Sequence, residues 1–202
     1  MDPITQGLLG AAAAQALMGR RLGPRAALIG GVAGVLPDAD VLIGSPSDPL
    51  LAIEYHRQFT HALAFIPVGG LIAALPWFVR RRNRLEWKPI LAATTAAYAT
   101  HGLLDACTTY GTQLFWPFSA HRIAFNWISV IDPLFTLVLL VGVGLAVRGR
   151  TQRPAAVALA LCSVYLGIGA WQEEQALAAQ AKIVHTRGHD IVRREVFPTI
   201  GN

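Results

Sequence analysis

Four stretches of this 202-residue chain, at approximately 62–79, 89–106, 131–147 and 154–171, carry no Lys, Arg or Glu in their interiors. A helix crossing the hydrocarbon core of a bilayer needs about 20 predominantly apolar residues, and each stretch reaches or nearly reaches that length. Their Gly, Ala and Thr content (Gly69-Gly70, Thr94-Thr95, Gly142, Gly144, Gly167, Gly169) suits close helix packing in lipid. Two shorter apolar pieces precede them, 4–18 and 25–36 continuing to about 43. The first would be only ~21 Å long as a helix, so it is expected to cross with help from its neighbours or to lie partly re-entrant. The expected fold is all-α: a polytopic transmembrane bundle of about five to six membrane helices.

Composition agrees. The chain is 53% hydrophobic and only 14% charged, whereas an ordinary soluble domain carries about a quarter charged residues. The net charge of +5 could suggest nucleic acid, but the basic residues cluster between apolar runs: Arg20-Arg21, the Arg80 to Arg84 cluster, and Arg148 with Arg150. That is the positive-inside pattern of membrane topology, and no nucleic-acid partner is expected. Cys107 and Cys162 lie in or beside apolar helices and form no disulfide framework or metal knuckle. The Met-Asp-Pro start lacks the basic region of a cleavable signal peptide, so insertion is expected to rely on internal segments.

Placing the loops at 19–25, 80–88 and 148–153 in the cytoplasm alternates the helices consistently. Asp38, Asp40, His56, His61, His101, Asp105 and Asp132 then all fall on the extracytoplasmic side. Residues 1–171 read as one membrane-embedded domain. Residues 172–202 read as a polar extracytoplasmic tail, a helix from Glu173 to Lys182 followed by strand-like alternation near Ile191 to Val196, and as the start of a longer portion. The aromatic loop 107–130 is expected at the headgroup layer.

Ionisable groups at the edge of a membrane segment are costly and mark functional sites, and His with Asp suits a divalent metal. His101 and Asp105, at i and i+4, share the outward end of one helix. Asp38 and Asp40 follow a break at Pro37, where carboxylates can ligate a metal, orient an imidazole or accept a proton. His56 and His61 are five apart and face one centre only if His56 precedes the helix that His61 begins. Arg57 between them suits an anionic oxygen or a lipid headgroup, and Thr60 suits a helix cap. Asp132 before Pro133 has a helix-capping alternative. His121, Arg122 and Thr108 to Tyr110 are second-tier contacts, and His185 and His189 read as solvated. Taken together, His56, His61, His101, Asp105 and Asp40 are the expected metal ligands, with Asp38, Asp40 and Arg57 in catalytic roles. The donor set suits zinc, with manganese or iron as alternatives, as one or two ions.

The phrases Met1-Asp-Pro-Ile-Thr5, Leu36-Pro-Asp-Ala-Asp40, Tyr55-His-Arg-Gln-Phe-Thr-His61, His101-Gly-Leu-Leu-Asp105 through Thr112, and Ile131-Asp-Pro-Leu-Phe135 together resemble the YdjM-like family of bacterial membrane-bound, metal-dependent hydrolases. The resemblance implies a bacterial inner-membrane protein with hydrolase activity and a metal held by these His and Asp residues. This chain departs at Gln6, where family members often carry His. The expected function is therefore metal-dependent hydrolysis of a lipid or phosphate ester at the extracytoplasmic membrane surface. The alternative is a non-catalytic scaffold in which a structural metal or a His–Asp network ties helix ends together. Oligomeric state is not legible.

Overall fold

The computed structural model describes residues 1–45, 47–48, 50–79, 87–188 and 195–199. The Arg80 to Arg84 cluster, His189 and most of the expected strand-like stretch lie outside the described residues. Among the described residues every extended element is helical, and β pairing is limited to isolated bridges, Ser45 with Asp48 and Thr112 with Ile123. The helices are α1 (Pro3–Leu22), α2 (Arg25–Val35), α3 (Leu51–Tyr55), α4 (Ile66–Val79), α5 (Trp87–Ala106), α6 (Pro133–Arg148) and α7 (Arg153–Arg187).

Helix α1 starts where the sequence supplies a complete N-terminal signal. The Asp2 carboxylate accepts from the Thr5 N–H at 3.0 Å and the Thr5 hydroxyl at 2.6 Å, and Pro3 opens the first turn. The helix outruns the 4–18 expectation because Arg20 and Arg21 occupy its last turn, where cations meet the negative end of the helix dipole. Its 20 residues give a length of ~30 Å. Asp132 caps α6 in the same way, accepting from Leu134 N at 3.1 Å and Phe135 N at 3.0 Å, with Pro133 behind it. The Tyr165 hydroxyl donates to its other oxygen at 2.6 Å. Asp132 is thereby committed to capping, the alternative its position allowed.

Helix α1 is central and belongs to both cores. On one side Ala14 and Leu22 join Ile29, Ala74, Ile90 and Ala97 from α2, α4 and α5. On the other, Leu9 and Ala12 join Leu104, Phe135, Leu139 and Cys162 from α5, α6 and α7. The α1–α2 crossing depends on glycine: a Cβ at Gly30 would stand 2.3 Å from both the Ala14 Cβ and the Gly10 carbonyl oxygen. Backbones approach this closely only where side chains are absent.

The outer faces are the reverse of a soluble protein's. Val68, Leu71, Ile72 and Leu75 on α4, Leu137, Leu140, Val141 and Leu145 on α6, and Val157, Leu161, Val164 and Ile168 on α7 are all exposed. Apolar area on this scale requires lipid or another apolar partner. Meanwhile Gln6, Gln15, Thr94, His101, Asp105 and Asp132 are fully buried.

Among the described residues, α7 alone is by length and composition apolar and long enough to cross a membrane. Ile53–His61 with Leu63–Phe78 would make a second span, bent by 57°, and α6 is apolar but shorter. The expected count of five to six spans is finer than this. The reason is compositional: α1 and α5 are rich in Ala, Gly, Thr and Gln because they are lined by other helices, and α2 stops after 11 residues. Helix α7 runs unbroken for 35 residues through Trp171 and Glu173, where a boundary was expected. No Gly or Pro interrupts it there, and Gln, Glu and Ala sustain a helix.

Candidate metal centre

The site forms where four chain reversals meet at one end of the bundle. Helix α2 gives way at Pro37 to a 3-10 turn, Leu36–Leu42, that carries Asp38 and Asp40. After α3 the chain turns through Arg57, whose φ of 62° is left-handed. The Arg57 N–H donates to Asp40 Oδ2 at 3.1 Å and its carbonyl accepts from Gln113 N at 3.0 Å, contacts that hold a conformation disfavoured for a side chain of this size. His61 ends the turn Phe59–His61, and His101 and Asp105 lie on the last turns of α5. Gly102 lets these two elements touch, since a Cβ there would stand 2.2 Å from the His61 carbonyl oxygen.

Asp38, His61, His101 and Asp105 converge, each offering one ligand atom, all within 4.8 Å of one another. His61 Nε2 lies 3.7 Å from Asp38 Oδ1 and 3.5 Å from Asp105 Oδ2. His101 Nε2 lies 3.2 Å and 3.9 Å from the same two atoms. Metal–ligand bonds of 2.0–2.2 Å in a tetrahedral site separate the ligands by roughly 3.3–3.6 Å, so the spacing suits one divalent ion. Only Asp38 is open to the outside, with its side chain 20% exposed against 0% for the other three.

The hydrogen bonding around the cluster aims lone pairs at its centre. His101 Nδ1 meets the Gly34 carbonyl oxygen at 2.6 Å and must donate, so a neutral ring carries its lone pair on Nε2, which faces Asp38 Oδ1 at 3.2 Å. The Thr60 hydroxyl donates to Asp40 Oδ2 at 2.7 Å, so its contact with His61 Nδ1 at 2.9 Å makes that nitrogen the donor. His61 Nε2 then has no hydrogen-bond partner, and neither has Asp105 Oδ2. Arg57 Nε stands 3.1 Å from that oxygen as an ion pair without hydrogen-bond alignment. A buried acceptor without a hydrogen bond costs about 1–3 kcal/mol, and His61 Nε2 and Asp105 Oδ2 face one point where a single cation would satisfy both. Asp105 Oδ1 is held separately by Gln6 Nε2 at 2.8 Å and by the amino group of Met1. Hydrogen bonds from His56, His61 and Thr60 hold the Asp40 carboxyl well below the ordinary carboxylate range against its own burial.

Among the expected ligands, His61, His101 and Asp105 are brought together, and Asp38 joins them. Asp40 and His56 lie one layer out. Asp40 Oδ1 binds His56 Nδ1 at 2.7 Å and Oδ2 lies 3.3 Å from His61 Nδ1, so one carboxylate orients two imidazoles. His56 is half-buried and, with Arg57, Tyr110 and Arg122, lines a cavity of about 640 Å³ beside the cluster. Sequence reasoning assigned Thr60 to a helix cap, although its hydroxyl in fact links Asp40 to His61. It also missed the carbonyl of Gly34, which leaves no signal in a sequence pattern; Gln6, singled out as a departure from the family's histidine, faces Asp105 through its nitrogen rather than its carbonyl.

With this geometry in hand, the comparison with known proteins is direct. The model of the YdjM inner membrane protein family matches residues 1–176. The chain belongs to that family. It is similar to the inner membrane protein YbcI of Escherichia coli (strain K12), with 33% identity over 106 residues, covering 52% of this chain and 60% of that relative. No solved structure matches the chain. Membership places the protein at the bacterial inner membrane, a setting that suits the exposed apolar faces of α4, α6 and α7.

Proposed function

We propose that the protein is a multi-pass, metal-dependent hydrolase acting on a lipid or phosphate-ester substrate at the extracytoplasmic face of the inner membrane. The observation that carries this reading is the pair of buried atoms without a hydrogen bond, His61 Nε2 and Asp105 Oδ2, within a four-ligand cluster that borders a cavity holding a guanidinium. The cluster lies at the opposite helix ends from Arg20, Arg21, Arg148 and Arg150, which supports the extracytoplasmic placement.

In this reading Asp38, His61, His101 and Asp105 hold one divalent ion. Two imidazoles with two carboxylates suit zinc, with manganese or iron as the other fits. When bound, such an ion lowers the pKa of water and polarises a phosphoryl or acyl oxygen. The chain's own residues do the rest. Asp40 fixes the tautomer of His56, whose second nitrogen is left to exchange a proton in the cavity. Arg57, anchored by Asp105 and by Thr108 at 3.3 Å, stabilises negative charge developing on substrate oxygens.

A structural reading has one observation in its favour: the four ligands come from three separate elements, so an ion there would tie helix ends together. Metal analysis and turnover on purified protein separate the two. A stoichiometric ion and hydrolysis of a phospholipid or generic phosphodiester, both lost in His101→Ala, are expected. Metal retention without turnover on any ester would favour the structural tie, and absence of bound metal would sink the hydrolase reading and leave a His–Asp network as the tie.

A further inference from the structure

Two cavities flank the centre, and the chain they imply for a ligand is specific. The first, of about 640 Å³, is lined by His56, Arg57, Tyr110 and Arg122. The Arg57 guanidinium carbon sits 5.2 Å from the centre of the Tyr110 ring. Arg122 is held from behind by the carbonyl oxygens of His56 at 3.2 Å, Glu54 at 3.4 Å and Gly111 at 3.4 Å. The lining carries two guanidiniums, Arg57 with its Nε already paired to Asp105 behind it, and one exposed carboxylate, Glu54, a set that favours an anion with several oxygens. The second is an apolar groove of about 840 Å³ between α1 and α2, running over Ile4, Gly7, Gly31 and Val32 to Leu42. It reaches the centre at Asp38, the one ligand open to the outside, and shares Val41 with the first cavity.

We infer that these cavities form one site for a phosphate-bearing lipid, its phosphate between Arg57 and Arg122 and a hydrocarbon chain in the α1–α2 groove. This rests on the hydrolase reading only for what happens next; the binding itself is independent of turnover. Adjacency at the shared residue Val41, guanidiniums at one end only, and an apolar groove on an inner-membrane protein argue together for a lipid rather than a free phosphate. The volumes are those of ordinary ligand sites, about 300–1,000 Å³.

The test uses the full chain in dodecyl maltoside, with binding read by native mass spectrometry. The probes are dioctanoyl phosphatidic acid and its two halves, glycerol 3-phosphate and dioctanoylglycerol. Phosphatidic acid is expected to bind at least tenfold more tightly than either half, with chelator or with zinc. Arg122→Gln should weaken phosphatidic acid about tenfold, the loss of a charge-assisted contact, and leave dioctanoylglycerol unchanged. Gly31→Leu fills the groove without a backbone clash, since a Cβ there meets only the Gly7 oxygen at 3.5 Å and the Ala11 Cβ at 3.8 Å. It should weaken phosphatidic acid and dioctanoylglycerol and spare glycerol 3-phosphate. Gly144→Leu, with nothing within 4 Å of its Cβ, should bind like the unaltered protein. Should Arg122→Gln misfold, Val41→Trp at the exposed junction provides the second variant, with loss of phosphatidic acid alone expected. Phosphatidic acid binding no tighter than either half, or loss that does not sort between the variants, would overturn the inference. Selective lipid binding without metal or turnover would defeat the hydrolase reading and leave this site standing; turnover of a soluble phosphodiester with no lipid preference would do the reverse.

Discussion

Asp40 shows how much one carboxylate can organise without touching the ligand cluster's centre. It binds His56 through one oxygen and Thr60, the Arg57 N–H and the His61 edge through the other. Asp40→Asn keeps the shape but replaces an acceptor with a donor facing other donors. Metal affinity is expected to fall about 10–100-fold, the range for groups that orient metal ligands, measured by titration with a chelator-buffered metal. Gln6 is the converse case, a neutral donor against Asp105 Oδ1. Gln6→Glu sets two buried carboxylates against each other and removes a hydrogen bond to a charged group. A loss of about 1.5–3 kcal/mol is expected, read as a lower melting temperature in thermal unfolding.

At the scale of elements, the site and the bundle each depend on a close approach that a glycine permits. Gly102→Ala drives a methyl into the His61 carbonyl and moves a ligand without altering any ligand's chemistry. Metal occupancy is expected to drop at least tenfold in metal analysis, with helix content unchanged by circular dichroism. Gly30→Ala separates α1 from α2, and overpacking of this kind costs about 1–3 kcal/mol. Its effect should appear as lost thermal stability with or without metal, which distinguishes a bundle contact from a site contact.

For the whole molecule, the apolar outer faces and the buried polar interior form one design for lipid. Orientation is testable because both native cysteines are buried, so a membrane-impermeant maleimide meets little background. Ala120→Cys, on the exposed loop beyond α5, is expected to react in intact spheroplasts. Thr151→Cys, between α6 and α7, is expected to react only after lysis. Chelation should lower the melting temperature of the purified protein and added zinc should restore it, since an ion bound to the folded state alone stabilises it by mass action.

The sequence by itself determined the helical class, the lipid-facing character and the His and Asp phrases at helix ends, because hydropathy, arginine placement and chain breaks at Pro37 and Pro133 are local properties. It also made His61, His101 and Asp105 legible, the last two through their i, i+4 spacing on one helix. Only the tertiary structure decided which of Asp38, Asp40 and His56 completes the group. That choice turns on a left-handed backbone at Arg57, a Thr60 hydroxyl and the absence of a side chain at Gly102. These are contacts between residues 17 or more positions apart or conformations set by such contacts, and no periodicity along the chain encodes them.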